Sequence, residues 1–285
     1  MSLLIGFAVV VGSVVGGFLL GHGHLAALWQ PNELVIIGGA AVGAFIIANP
    51  RSVIVDVLKS LPALIRGPRY RKREYMDLLG LLHQIFSKAR KEGLLGLEQD
   101  IDEPEQSAIF SAYPRLLREH HLIEFIRDNV RLVVGGNINP LELETLMDVE
   151  IDTHHVEAEQ PGAALTKMAD SLPGFGIVAA VLGIVVTMAS LNEGDAAMIG
   201  AHVAGALVGT FLGILLAYGF VGPAAAALES QARDDGKAME CIKVGILAML
   251  QGYPPQLAVE LARKTLFSTV RPSFTELDEA LRGQR

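Results

Sequence analysis

Residues Ala201-His202-Val203-Ala204-Gly205-Ala206-Leu207-Val208-Gly209-Thr210-Phe211-Leu212-Gly213-Ile214-Leu215-Leu216-Ala217 contain no Lys, Arg, Asp or Glu, and they lie inside a longer uncharged run from Ala196 to Leu228. Hydrocarbon has no water to solvate a charge, so an apolar run of about 17–25 residues is a candidate membrane span. Ala201, Gly205, Gly209, Gly213 and Ala217 recur at every fourth position. On a helix they line one face with small side chains, which lets a second backbone approach closely where no hydrophobic force drives helices together. Five such positions in succession point to tight contact with another helix, from this chain or from a neighbouring one.

Working outward, the same gap in charge occurs three more times. No charged residue precedes Glu33, residues 34–50 are again clean up to Arg51, and a further gap runs from Ser171 to Asn192. Four membrane helices are expected, at about 2–20, 33–50, 172–191 and 200–225; the second is the shortest and ends at Asn49-Pro50. Gly12 with Gly16 and Gly39 with Gly43 repeat the small-residue spacing more briefly. Four buried helices of a soluble protein would carry charge on at least one face. The whole chain agrees: among its 285 residues 51% are hydrophobic and 19% charged, with a mean hydropathy of +0.41. That balance excludes a disordered protein. A net charge of -8 argues against a nucleic-acid binder, and the lone Cys241 excludes an intrachain disulfide or a cysteine pair for a metal.

Basic residues set the orientation. Fifteen of the 23 Lys and Arg lie between Arg51 and Lys167 and the other eight between Arg233 and Arg285, so the connections 21–32 and 192–199 carry none. Positive charge marks the cytoplasmic side. The expected organisation is a transmembrane hairpin over 1–50, a cytoplasmic helical domain over 51–170, a second hairpin over 171–228 and a helical cytoplasmic tail over 229–285. Both termini then face the cytoplasm. The start, Met1-Ser2-Leu3-Leu4, lacks a basic region and reads as a retained span. The fold class is therefore an all-α integral membrane protein. Within the insertion, Leu78, Leu79, Leu82, Ile85, Phe86 and Ala89 recur at helical spacing, as do Leu122, Phe125, Ile126, Val130, Val133 and Val134 before Gly135-Gly136. Pro140 suits the opening of an acidic helix, and Tyr253-Pro254-Pro255 divides the tail into two helical stretches.

Polar side chains within the spans are few: Thr187, Ser190, His202, Thr210 and Tyr218, with Glu33 at an outer edge. A proton-driven device needs a titratable group at membrane depth, and His202 is the best these helices offer. Either the chain conducts no ions, or a partner supplies a carboxylate. Thr210 then either lines a polar path or bonds back to the carbonyl of Ala206. Pro223 removes a backbone bond to Gly219 and predicts a kink or joint, whereas Pro173 sits in the first turn of its span, where proline is tolerated after Asp170 and Ser171. The adjacent pairs His120-His121 and His154-His155 point in different directions on a helix and make poor metal sites. No phosphate-binding glycine loop and no Gly-x-Ser-x-Gly occurs, so neither an enzyme site nor a cofactor is expected.

Several long segments carry a resemblance. Residues 30–39 (Gln30-Pro31-Asn32-Glu33 through Gly38-Gly39), Asp170-Ser171-Leu172-Pro173 with Phe175-Gly176-Ile177-Val178-Ala179-Ala180, Val208 through Leu215, and Gln251-Gly252-Tyr253-Pro254-Pro255 onward to Arg263-Lys264 resemble the MotA family of flagellar motor stator subunits. The resemblance runs essentially end to end. It implies a pentameric ring of this chain in the bacterial inner membrane, around two copies of a single-span partner, MotB, which supplies the membrane aspartate and the peptidoglycan anchor. It implies that ion flow past that aspartate turns the ring against the rotor protein FliG. By the same resemblance, Pro173 and Pro223 couple ion flow to movement, Thr210 lies on the channel side, and Arg90 and Glu98 engage rotor charges. Sodium-driven relatives carry threonine at the position of Ala180, so protons are expected. Taken alone, Arg90 and Glu98 read as solvated charges. Two other outputs fit a similar membrane plan: an energiser resembling ExbB or TolQ, whose members usually have three spans, and a secondary transporter.

Overall fold

A computed structural model describes residues 2–67, 69–136, 138–189 and 196–283, and among these every regular element is helical. The principal helices are α1 (Ser2–Leu20), α2 (Pro31–Ala48), α3 (Arg51–Arg66), α4 (Lys72–Glu92), α5 (Glu98–Asp102), α6 (Ala108–Ser111), α7 (His120–Val134), α8 (Pro140–Ala189), α9 (Ala196–Leu216), α10 (Gly222–Leu250), α11 (Pro255–Lys264) and α12 (Phe274–Arg282). The described residues include four helices long and apolar enough to cross a membrane. The third and fourth extend far beyond hydrocarbon thickness, because the charged sequence that adjoins their apolar parts is itself helix-forming. Ser190 and Leu191, at the expected end of the third span, lie outside the described residues.

The chain forms two compact units, residues 1–67 with 158–230 and residues 68–157 with 231–285. In the first, α1, α2, α9 and the later part of α8 carry the uncharged sequence. Ile37, Ala41, Leu172, Ala179 and Ala217 form one buried cluster; Val53 and Val57 of α3 join Leu165, Ala225 and Leu228 in another. α1 is held lightly, with Phe7 against Phe220 at 5.0 Å between ring centroids. Gly6, Gly12, Gly16 and Gly17 of α1 face open space, as do Gly39 and Gly43 of α2. Apolar side chains such as Leu20, Val35 and Ile47 stand on the outside, as lipid or a neighbouring chain requires.

The second unit is built as a soluble domain is. The inward faces of α4 and α7 are the ones their apolar spacing predicts: Leu78, Leu79, Leu82, Ile85 and Phe86 pack with Leu122, Phe125, Ile126 and Val130. Ala238, Ile242 and Ile246 of α10 and Ala258, Val259 and Ala262 of α11 complete this core. Cys241 is fully buried within it. Helix starts follow from their caps. Asn139 Oδ1 accepts the Glu142 amide at 2.9 Å and Pro140 opens α8, while Ser273 and Glu276 bond each other's amides at the start of α12. Gly136 ends α7 and Gly252 ends α10, both with positive φ that a side chain disfavours.

Candidate functional site

The seam between α8 and α9 shows what the small residues are for. A Cβ on Gly213 would fall 2.7 Å from the Leu172 carbonyl oxygen and 2.9 Å from the Gly176 Cα, so two backbones touch there. One on Gly183 would meet Ala206 at 2.9 Å. Gly205 borders the side chain of Gln30, and Gly209 borders Glu33 and Ala179. Gly205, Gly209 and Gly213 therefore seat helices of their own chain, one neighbour per turn.

Glu33 lies at the edge of its span, in the first turn of α2, and yet it is 7% exposed, with Oε2 buried and unpartnered. Gly209 is what makes room, since a Cβ there would come within 2.7 Å of that oxygen. The membrane unit thus has a carboxyl of its own, near Gly183 of α8 and Gly209 of α9. Intervals between charges put Glu33 at the outer edge of the second span and say nothing of its burial. The available signal was the four-residue glycine row, which can accommodate a large side chain from across the seam.

Thr210 is half-buried beside the point where Gly176 approaches its Cα, and its hydroxyl makes no hydrogen bond among the described residues. The bond back to Ala206 is absent, which leaves the hydroxyl free to line a path. Thr187 does bond back, to the Gly183 carbonyl at 2.8 Å. Ala180 is half-buried and follows Ala179, which packs on Gly209.

The two prolines differ from each other. Pro173 lies inside α8 and not at a helix start. Residues before it are helical because Thr166 donates to Glu229 at 3.1 Å and Gly162 accommodates the Glu229 stem, fastening that part of α8 to α10. Ser171 bonds the Met168 carbonyl at 2.7 Å instead of capping a new helix. Pro223, in the first turn of α10, directly follows a π-helical segment at Ala217–Val221. The wider turn absorbs the missing N–H, and such segments commonly mark functional joints.

In the second unit, Arg90 and Lys91 occupy the last turn of α4, where cations suit the helix end. Arg90 lines a groove of about 770 Å3 with His83, Gln84, Lys91, Pro254 and Pro255. Gly93 then turns the chain, at a φ of 81°, into the short helical segments carrying Glu98. Arg90 and Glu98 are both exposed, and among the described residues neither has an ion-pair partner. Their surroundings are fixed. Lys88 Nζ binds Asp100 Oδ2 at 2.7 Å, Ser107 donates to Asp100 Oδ1 at 2.6 Å, and Arg127 donates to the Ile101 carbonyl at 2.9 Å.

Two further clusters come from residues far apart in sequence. Arg69 pairs with Glu119 and, at 3.6 Å, with Asp235; burial pushes the Asp235 carboxyl up to about 6. His121 and His154 meet edge-on at 5.9 Å between ring centroids, and burial followed by the nearby His121 lowers the His154 pKa. Neighbouring positions in the sequence do not disclose this contact, which joins α7 to α8.

Four apolar helices sealed by backbone contacts, a carboxyl and a threonine beside that seam, and a separate charged helical unit define a polytopic helical membrane protein of the ion-channel kind. Residues 4–93 match the motility protein A N-terminal model and residues 118–241 the MotA/TolQ/ExbB proton channel family model. The chain belongs to the MotA/TolQ/ExbB proton channel family, within its motility protein A branch. It is 50% identical to motility protein A of Salmonella typhimurium over 285 residues, covering 100% of this chain and 96% of the relative. It is 50% identical to motility protein A of Escherichia coli over 99% of this chain and 96% of the relative, and 39% identical to the chemotaxis protein LafT of Vibrio parahaemolyticus over 100% and 99%. The fold matches the solved C. jejuni MotAB structure with a TM-score of 0.78 at 20% identity, covering 96% of this chain and 98% of that one. It also matches the flagellar MotAB stator complex from Bacillus subtilis, with a TM-score of 0.72 at 22% identity over 97% and 98%.

Proposed function

We propose that this chain is the ring subunit of a proton-driven flagellar stator: with MotB it conducts protons across the bacterial inner membrane and converts their flow into torque on FliG. The observation that carries this reading is the 50% identity to motility protein A over the whole chain, from first span to tail. Four candidate spans favour it over an energiser of the three-span ExbB or TolQ kind. The ring is a homopentamer around two MotB helices, and both termini of each subunit face the cytoplasm.

The mechanism divides along the chain. MotB brings an aspartate to the seam, and its protonation changes the charge facing Thr210 and Ala180. One elementary charge crossing 100 mV releases about 2.3 kcal/mol, enough to re-sort a few helix contacts. Pro173 within α8 and the π segment ahead of Pro223 are the points next to the apolar spans where backbone bonding is already altered, Pro161 lying about three turns further along α8, so bending of the spans concentrates there. Arg90 and Glu98 then meet rotor charges; such contacts set encounter and register more than affinity. The test is proton conductance in vesicles holding this chain with MotB, without it, and with a MotB whose membrane aspartate is replaced by asparagine. Conductance is expected only with the natural partner, and a current from this chain alone overturns the reading.

A further inference from the structure

The carboxyl of Glu33 has no assigned task. It stands in the first turn of α2 against Gly183 of α8 and Gly209 of α9, with Oε2 buried and accepting no hydrogen bond. A carboxylate removed from water is tolerated when a cation pairs with it, when donors saturate it, or when it takes a proton. No ion pair reaches Glu33 among the described residues. On the elements packed around it the only other titratable side chain is His202 of α9; α8 has none between Asp170 and Ala189, α2 has none besides Glu33, and the Leu25–Leu28 turn adds none. The first turn of α2 favours a negative charge but gives Oε2 no donor, and proton uptake is the compensation open to that buried oxygen among the described residues.

His202 lies on the same side. Gly176 meets Gly213, and Gly183 meets Ala206; this antiparallel register brings the turn holding Thr187 level with the turn holding His202. Thr187 is fully buried, and His202 Nδ1 is buried without a hydrogen-bond partner. Gln30, one turn before Glu33, borders Gly205. Two unsatisfied polar atoms, Glu33 Oε2 and His202 Nδ1, therefore belong to one three-helix bundle, and the next residue along α9 from Gly209 is Thr210.

We propose that Glu33 is a proton-transfer site contributed by this chain, placed between the aqueous phase on the His202 side and the Thr210 level of the seam. The step is a reversible proton exchange. An O–H bond forms at Oε2 as a hydronium ion gives up a proton and becomes water, and it breaks as the proton passes to a water molecule at the Thr210 level; no electrons change hands. Gly209 keeps this oxygen clear of a methyl group, whose Cβ would come within 2.7 Å of it, while Gly183 borders Oε1. This inference rests on the proposed stator reading.

The experiment uses the complex of this chain with MotB in lipid vesicles, comparing natural protein, Glu33→Gln and Glu33→Asp. Glutamine keeps the shape but carries no exchangeable acid proton, and aspartate restores an acid. Glu33→Gln is expected to lower proton conductance about a hundredfold, the lower end of the range for removal of one proton-transfer group, with Glu33→Asp recovering part of it. Natural conductance in Glu33→Gln overturns the proposal. If no complex conducts, natural protein included, the stator reading has failed instead. Should Glu33→Gln not assemble with MotB, infrared difference spectra of the natural and Glu33→Asp proteins between about pH 5 and about pH 8 decide. A titrating buried carboxylic-acid band that moves in Glu33→Asp supports the site, and the lack of any such band overturns it.

Discussion

Lys88 Nζ reaches Asp100 Oδ2 at 2.7 Å, closing the chain turn at Gly93 and fixing where α4 ends relative to the start of α5. Ser107 takes the other oxygen of the same carboxylate. Asp100 is mostly buried, so its loss leaves Lys88 and Ser107 without their acceptor. Asp100→Asn is expected to destabilise the protein by about 1–3 kcal/mol. Thermal unfolding of the purified chain in detergent measures this, and swimming should fall with it, because the same contact positions Arg90 and Glu98.

Arg90 and Glu98 themselves hold nothing together. Arg90→Glu and Glu98→Lys should leave thermal stability within about 0.5 kcal/mol, as exposed charges do, while reducing swimming speed. Membrane-fraction immunoblots beside motility assays separate the two effects. Failure of either variant to insert removes that residue from the proposed rotor contact.

In the proposed mechanism Pro223 and the π segment before it act as one device. Pro223→Ala restores an N–H and favours ordinary α-helical bonding through 217–223, stiffening the joint. The variant should still co-purify with MotB yet produce little torque. Pro173→Ala, which restores a backbone bond inside α8, should behave alike. Normal torque in either variant excludes that proline from the coupling.

The glycine seam offers a test with an internal control. Gly213→Ala places a methyl 2.7 Å from the Leu172 carbonyl oxygen and 2.9 Å from the Gly176 Cα, neither of which belongs to a flexible side chain. A loss of about 1–3 kcal/mol is expected, seen as a lower melting temperature and weaker assembly. Gly200→Ala meets nothing within 4 Å and should leave both unchanged.

Asp235 and His154 respond to pH in opposite senses. The Asp235 carboxyl, raised from 3.8 to about 6 by burial, holds a proton that the unfolded chain has released; its contribution is complete below 3.8 and disappears as pH rises through about 6. His154 is lowered from 6.5, so its contribution is complete above 6.5 and is lost as pH falls through the depressed value. Asp235→Asn should steepen the acid-side loss of stability, and His154→Gln should flatten it. Melting temperatures across this interval distinguish them.

The membrane helices were legible because hydrocarbon tolerates no charge, and charge is countable. The α4 and α7 faces were legible because water imposes a 3.6-residue period on them. Pro173 was misplaced for a related reason: charge gaps locate the lipid boundary, whereas Thr166, Gly162 and Glu229 carry α8 through it. The burial of Glu33 at the edge of its span was not legible because its neighbours at Gly183 and Gly209 are 150 and 176 positions away. Pairings such as Lys88 with Asp100, Arg69 with Asp235 and His121 with His154 leave no periodic trace. They depend on which faces meet, and a single sequence does not state that.

The one cysteine, Cys241, is enclosed by the second unit's core, and burial pushes its thiol up to about 12, where almost no nucleophilic thiolate exists at neutral pH. The natural chain is consequently a silent background for sulfhydryl reagents. A cysteine engineered at any exposed position becomes the sole reactive sulfur, so spin labels, fluorophores and cross-linkers can be installed singly without first stripping the protein of its own.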